Sequence, residues 1–151
     1  MQLTRAADYA VRVMIHLAGL PPGTRISRSE LSVAAECPEQ FLCKVLQNLT
    51  RAGLVISHRG NTGGFELEEL HRTASLLEVV EAVEGPIRLN LCLTSDHGCT
   101  RQGWCPAHCV WAEAQAAMVK VLKEANVSDL AQRAERSRRP VVVGIQDTRW
   151  S

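Results

Sequence analysis

Cys92, Cys99 and Cys105 fall within a stretch of fourteen residues, with Cys109 four places further on. The residues between them include Asp96, Gly98, Thr100, Arg101 and Gly103, so this is a polar loop and not an apolar run. Thiolates at such density suit metal chemistry, because soft sulfur ligands hold zinc or iron–sulfur clusters. Three thiolates leave a fourth position open. His108 lies one helical turn after Cys105, Cys109 stands at the i+4 spacing, and Asp8 could be supplied by a partner subunit. A disulfide framework is not expected. Met1–Leu20 carries Arg5, Asp8, Arg12 and His16 through its apolar pattern, which argues against a leader and for a cytoplasmic chain whose thiols stay reduced. The remaining two of the six cysteines, Cys37 and Cys43, sit within an apolar helical pattern and read as small buried hydrophobes.

A second set of side chains suits DNA. Ser27, Arg28 and Ser29 open one predicted helix, where hydroxyls and backbone N–H groups can hold phosphate. Gln40, Lys44, Gln47 and Asn48 share the polar face of the next, where amide side chains can read adenine edges. Arg59, Asn61 and Thr62 lie in a glycine-rich turn, from which an arginine can enter a minor groove. Charge alone says little. Residues 1–65 hold seven Lys/Arg against four Asp/Glu, and the whole chain has a net charge of only +1.

The elements that must position these groups can be read in order. Leu3, Ala6, Ala7, Ala10, Val11, Met14, Leu17 and Ala18 form a helical stripe ended by Gly19 and Pro21-Pro22-Gly23. Ser27 with Glu30 is a capping box that opens a second helix from about Arg28 to Ala35. Pro38 fits the first position of a third, whose apolar face is Phe41, Leu42, Val45, Leu46, Leu49 and Ala52 and whose stop is Gly53. Two helices joined by a short turn match a helix-turn-helix. Leu54–Ser57 and Phe65–Leu67 read as strands around the turn at 58–64, which makes a wing. A second capping box, Ser75 with Glu78, opens a short helix closed by Gly85-Pro86. Residues 87–105 read as an irregular cysteine-rich loop. From Pro106 a long helix carries Val110, Ala114, Ala117, Met118, Val121, Leu122 and Ala125 on one face, with little chain left to cover it, so a partner subunit is the expected cover. The tail 134–151 has no assigned structure.

The fold class is therefore mainly α with a small β wing: a winged helix-turn-helix domain over 1–86, the cysteine loop 87–105, a dimerisation helix 106–133 and the tail. No segment approaches a membrane span.

These residues also resemble the Rrf family of winged-helix transcription regulators, which includes iron–sulfur sensors of the IscR, NsrR and RirA kinds. The resemblance covers about residues 1–132. It is carried by Met1-Gln2-Leu3-Thr4 with Asp8-Tyr9-Ala10, the run Leu46 to Val55, Arg59-Gly60 with Gly63-Gly64, and Leu76 to Gly85. It implies a homodimer on a palindromic site in double-stranded DNA, with a cluster on Cys92, Cys99 and Cys105. Cys105 with His108 and Trp111 is similar to the IscR arrangement, in which the histidine completes a [2Fe-2S] site. Asp8 is similar to the NsrR arrangement, in which an acid completes a [4Fe-4S] site. The chain departs from both in the six residues between Cys92 and Cys99 and in Cys109.

The expected function is a regulator, with repression its favoured sense, whose DNA affinity follows a cluster that senses iron status, redox state or nitric oxide. Structural zinc on the same ligands is the alternative. A thiol oxidoreductase ranks lower and the chain is not expected to be an enzyme, since it has no Cys-x-x-Cys beside a βαβ pattern.

Overall fold

Helix α1 (Arg5–Gly19) runs through the centre of the computed structural model, which describes residues 3–94 and 99–138. Thr4 caps it by accepting from the Ala7 amide at 3.3 Å, and its own amide donates to Glu84 Oε1 at 2.7 Å. The buried face is Ala7, Ala10, Val13, Met14, Leu17 and Ala18; of the expected stripe Leu3 is exposed and Ala6 and Val11 are half-buried, while Val13 joins the core. Helices α2 (Arg28–Ala34), α3 (Glu39–Arg51) and α4 (Leu76–Glu84) pack around it. Leu31, Leu42, Val45, Leu46, Leu49 and Val79 complete the core from these three.

Strands β1 (Val55–His58) and β2 (Gly64–Leu67) pair antiparallel, with Val55 opposite Leu67 and His58 opposite Gly64. A third segment joins them. Ile26 exchanges both backbone hydrogen bonds with Phe65, at 3.0 and 2.8 Å, so the chain entering α2 is tied to the wing. Gly64 makes this approach possible, because a Cβ there would lie 2.7 Å from the Ile26 carbonyl oxygen.

Several sequence expectations need correction. Pro38 is the N-cap of α3 and not its first residue, since its ψ of 137° is extended. Phe41 and Ala52 are exposed, Phe41 lying at the rim of the core with its ring 6.1 Å from that of Tyr9. The single dimerisation helix 106–133 is two helices, α5 (Pro106–Glu124) and α6 (Val127–Arg138), so residues 134–138 of the expected tail are helical. Residues 139–151 and the turn residues Asp96 and Gly98 lie outside the described residues.

The break has a physical cause. Ala125 is extended, and its carbonyl accepts from the Leu76 amide at 2.8 Å while the Val127 amide donates to the Ala74 carbonyl at 2.9 Å. Asn126 then caps α6: its Oδ1 accepts from the Asp129 amide at 2.9 Å and its amide donates to Asp129 Oδ2 at 2.8 Å. Helix α6 turns back onto α1 and buries Val127 and Ala131 there, Ala131 approaching Gly19.

Asn126→Ala should therefore lower stability by about 1 kcal/mol, the usual cost of losing a capping side chain. Urea denaturation followed by circular dichroism measures it, and an unchanged midpoint would mean that α6 is held by packing alone.

Candidate nucleic-acid interface and cysteine loop

The capping box at Ser27 fixes where α2 begins. Ser27 Oγ accepts from the Glu30 amide at 3.3 Å, while Glu30 Oε2 accepts from the Ser27 amide at 2.9 Å and hydroxyl at 2.6 Å. The Ser27 hydroxyl and then its backbone N–H hold the Glu30 carboxyl below the usual carboxylate range. Ser27 thus spends its side chain on the cap. Arg28 and Ser29, also candidates for phosphate contact, stay exposed.

The turn into α3 is a Schellman closure without glycine. The Cys37 amide donates to the Ser32 carbonyl at 3.0 Å and the Glu36 amide to Val33 at 3.2 Å, with Glu36 itself left-handed at φ 50°. Ser32 Oγ adds a bond to the Cys37 carbonyl at 2.6 Å. Cys37 is buried, as its apolar setting implied, and burial pushes its thiol up. This turn aims α3. Leu42, Val45, Leu46 and Leu49 face the core, which leaves Gln40, Lys44 and Gln47 exposed and Asn48 half-buried on the other side.

Cys43 corrects the expectation of a buried hydrophobe. It is only half-buried, on the polar side of α3, where Arg28 Nη1 donates to its Sγ at 3.3 Å. The reason is phase: the buried positions are 42, 45, 46 and 49, so 43 falls outside the stripe with 47 and 50.

Arg59, Asn61 and Thr62 lie exposed between β1 and β2. Gly60 there is at φ 96°, and a Cβ on Gly63 would meet the His58 carbonyl oxygen at 2.4 Å, so the turn is tight and its side chains project from the tip. Behind them Glu66 Oε2 lies 2.8 Å from His58 Nε2 and 3.6 Å from Arg25 Nε. Arg25, His58 and Glu66 are wing-bracing residues that the sequence reading passed over. Their signal was the period of two in β1 and β2, which places 58 and 66 as near neighbours across the hairpin.

The cysteine loop packs on α5. Leu91–Leu93 forms one 3-10 turn, and the Leu89 amide donates to Gln115 Oε1 at 2.9 Å. The segment from Cys99 winds through tight turns, with the Cys105 amide on the Arg101 carbonyl at 2.8 Å, into Pro106 at the start of α5. Cys92, Cys99 and Cys105 are free thiols of intermediate exposure and Cys109 is exposed. Among the described residues no three His, Cys, Asp or Glu side chains are gathered into a metal-sized group. His108 differs from the other fourth-ligand candidates: its Nε2 is shielded from solvent and has no hydrogen-bond partner among the described residues. Asp8 Oδ2 is paired with Arg12 at 2.8 Å.

The Rrf2 family profile, described as an iron-dependent transcriptional regulator, matches residues 3–133. The chain belongs to the Rrf2 family. An HTH-type transcriptional regulator of Mycobacterium tuberculosis is 35% identical over 135 residues, covering 87% of this chain and 81% of that protein. Protein aau3 of Rhizobium meliloti is 33% identical over 132 residues, covering 86% and 84%. Among solved structures, the global cysteine regulator CymR of B. subtilis has a TM-score of 0.69 at 25% identity, over 88% of this chain and 98% of its own. IscR of T. potens has the same TM-score at 22% identity, over 91% of each. This Rrf2 protein is thus a winged-helix transcription regulator of a DNA-binding family. No helix among its described residues is long and apolar enough to cross a membrane.

The two capping boxes give this Rrf2 fold an acid limit. The Ser75 backbone N–H and then its hydroxyl hold the Glu78 carboxyl below the usual range, as Ser27 does for Glu30. A carboxyl whose folded value is depressed adds stability above its ordinary value of 4.5, and that stability is lost as pH falls through the depressed value. Stability measured downward from pH 5 should therefore fall less steeply for the Glu30→Gln, Glu78→Gln double variant than for the native chain. Parallel curves would remove the boxes as the cause.

Proposed function

We propose that the protein is a homodimeric repressor that binds a palindromic DNA site through α3 and the wing, under control of an iron–sulfur cluster held in the cysteine loop. The observation that carries the cluster is His108, whose shielded and unpartnered Nε2 follows Cys105 by one helical turn. A buried imidazole nitrogen without a partner is costly, and a metal ligand bond would satisfy it.

Cys92, Cys99 and Cys105 would hold the cluster with His108 as the fourth ligand. The donor set fits, since three thiolates and one imidazole suit an iron–sulfur centre. Asp8 stands second because its carboxylate is spent on Arg12. Cys109 stands third because it is exposed at the α5 surface. When bound, the cluster supplies a centre sensitive to iron supply, redox state and nitric oxide. The chain's own part is to hold the loop between Gln115 on α5 and the 3-10 turn, so that the ordering of the loop bears on α5.

Helix α5 supports the dimer. Met118 and Leu122 pack inward on the buried cluster of Ala7, Val80 and Ile87. Val110, Trp111, Ala114, Ala117 and Val121 remain exposed. Positions 110, 114, 117 and 121 form a helical stripe of small and β-branched residues, a seam that a second copy of α5 can close.

Two measurements test this reading. Selection from a random duplex pool should return a palindrome, with Lys44→Ala and Arg59→Ala each weakening binding and Lys44→Ala reducing its salt dependence. Selection of no sequence, or of sites without two-fold symmetry, would contradict it. Anaerobic purification should give a coloured protein whose visible spectrum changes in His108→Ala and not in Asp8→Ala, and whose DNA affinity differs between loaded and apo forms by about 5-fold to 150-fold. A colourless protein holding zinc would overturn the cluster.

A further inference from the structure

Cys43 stands apart from the cysteine loop. The Arg28 guanidinium reaches it from α2, with Nη1 at 3.3 Å from Sγ and Nε at 3.6 Å from Glu39 Oε2, so one cation spans an acid and a sulfur on successive turns of α3. Both Arg28 and Cys43 line a cavity of about 450 Å³ between α3 and the wing, whose walls also carry Gln47, Thr50, Arg51 and Ser57. Thr50 also lines it, and its Oγ1, shielded from solvent, has no hydrogen-bond partner among the described residues. A helical threonine ordinarily returns that hydroxyl to a carbonyl one turn earlier.

A thiol and two guanidinium groups around one small cavity suit an anionic ligand with sulfur chemistry. We propose that this cavity binds low-molecular-weight anionic disulfides and that Cys43 exchanges with them, a control of DNA binding separate from the cysteine loop. The volume admits one half of a disulfide of the size of oxidised glutathione. Arg28 and Arg51 attract its carboxylates, and Gln47 and Ser57 can hydrogen-bond its amides.

The exchange balances without a further reactant. The Cys43 thiol gives its proton to solvent, its thiolate attacks one sulfur of the disulfide, and the Cys43–S–S–R bond forms as the old S–S bond breaks. The departing thiolate leaves with the bonding electron pair and takes up a proton. The oxidising equivalent passes from the free disulfide to the mixed one, and excess thiol reverses the step.

The consequence for DNA rests on the reading that α3 and the wing face the duplex. On that face the adduct adds bulk and negative charge beside Arg28 and Gln47, so adduct and phosphate exclude one another. Bound duplex should in turn shield Cys43.

The test uses the full chain, cluster loaded and kept anaerobic, with oxidised glutathione as probe and the duplex obtained by selection. Peptide mass mapping should find glutathione on Cys43 about tenfold faster than on the exposed Cys109, and this preference should shrink with the uncharged hydroxyethyl disulfide. The treated-to-untreated ratio of duplex affinity should fall about tenfold or more in the native chain, recover with dithiothreitol, and stay near one in Cys43→Ser. Prior addition of duplex should slow modification of Cys43. Equal labelling of Cys43 and Cys109, or equal loss of affinity in the native chain and Cys43→Ser, would overturn the proposal. A chain that binds no duplex untreated would defeat the DNA reading instead, and the labelling preference would still decide the chemistry at Cys43.

Discussion

Burial of one face of α1 is the constraint from which the arrangement follows. Ala7, Ala10, Val13, Met14, Leu17 and Ala18 are shielded together, and α2, α3, α4, α6 and β2 all lean on that helix. Each large side chain in this face adds about 1.5–3 kcal/mol on burial, so the set rivals the whole net stability of a domain of this size. Its alanines matter as much as its larger residues, because they let neighbouring helices approach closely. Ala7 meets Val80 and Ile87, while Gly19 meets Ala131, and bulk at either end would push α4 or α6 away.

The polar surface of α3 is what remains once that core is satisfied. Helix α3 has four deeply buried positions, 42, 45, 46 and 49, and their phase leaves Gln40, Lys44 and Gln47 on the solvent side. The turn before α3 is held by the Ser32 hydroxyl and by Glu36 in a left-handed conformation that non-glycine residues seldom adopt. The wing is held by Ile26 on one edge and by the Arg25, Glu66 and His58 set on its sheet. A helix and wing fixed by these several contacts would lose little further freedom on meeting a ligand.

The elements that announced themselves in the sequence did so through local chemistry. Ser27 with Glu30 and Ser75 with Glu78 are capping boxes in the structure, and five of the residues in the expected α1 stripe, Ala7, Ala10, Met14, Leu17 and Ala18, are in the core. The break between α5 and α6 was legible but missed, since the apolar stripe of α5 ends at Ala125 and Asn126 with Asp129 carried a cap signal in the same spacing as the two serine boxes. The bridge of Ala125 and Val127 to Ala74 and Leu76 is a pairing distant in sequence, and no local pattern encodes it. Cys43 escaped for another reason: a cysteine is apolar enough to join any stripe on paper, and only the phase set by its neighbours separates it from the core. The cysteine loop shows the converse. Composition marked its chemistry, but the position of each thiol depends on chain without regular period, where sequence patterns say least.

The broken helix also limits how the cysteine loop can bear on α3. Helix α5 leans on the body through α4 and the Leu91–Leu93 turn, with Met118 and Leu122 set against Ala7, Val80 and Ile87. Helix α6 instead lies along α1 beyond the extended link at Ala125, which uncouples its direction from that of α5. A displacement of α5 therefore meets the body first at that small apolar cluster, and within it at Ala7, one turn into α1 and on the same residue run as Asp8. Helix α1 is shared with α3, so a rigid shift there would reach the recognition face without repacking its interior. A shift of α6 would instead bear on the far end of α1 near Gly19. Helices α5 and α6 thus meet opposite ends of α1, and a continuous helix from 106 to 133 could not have done so.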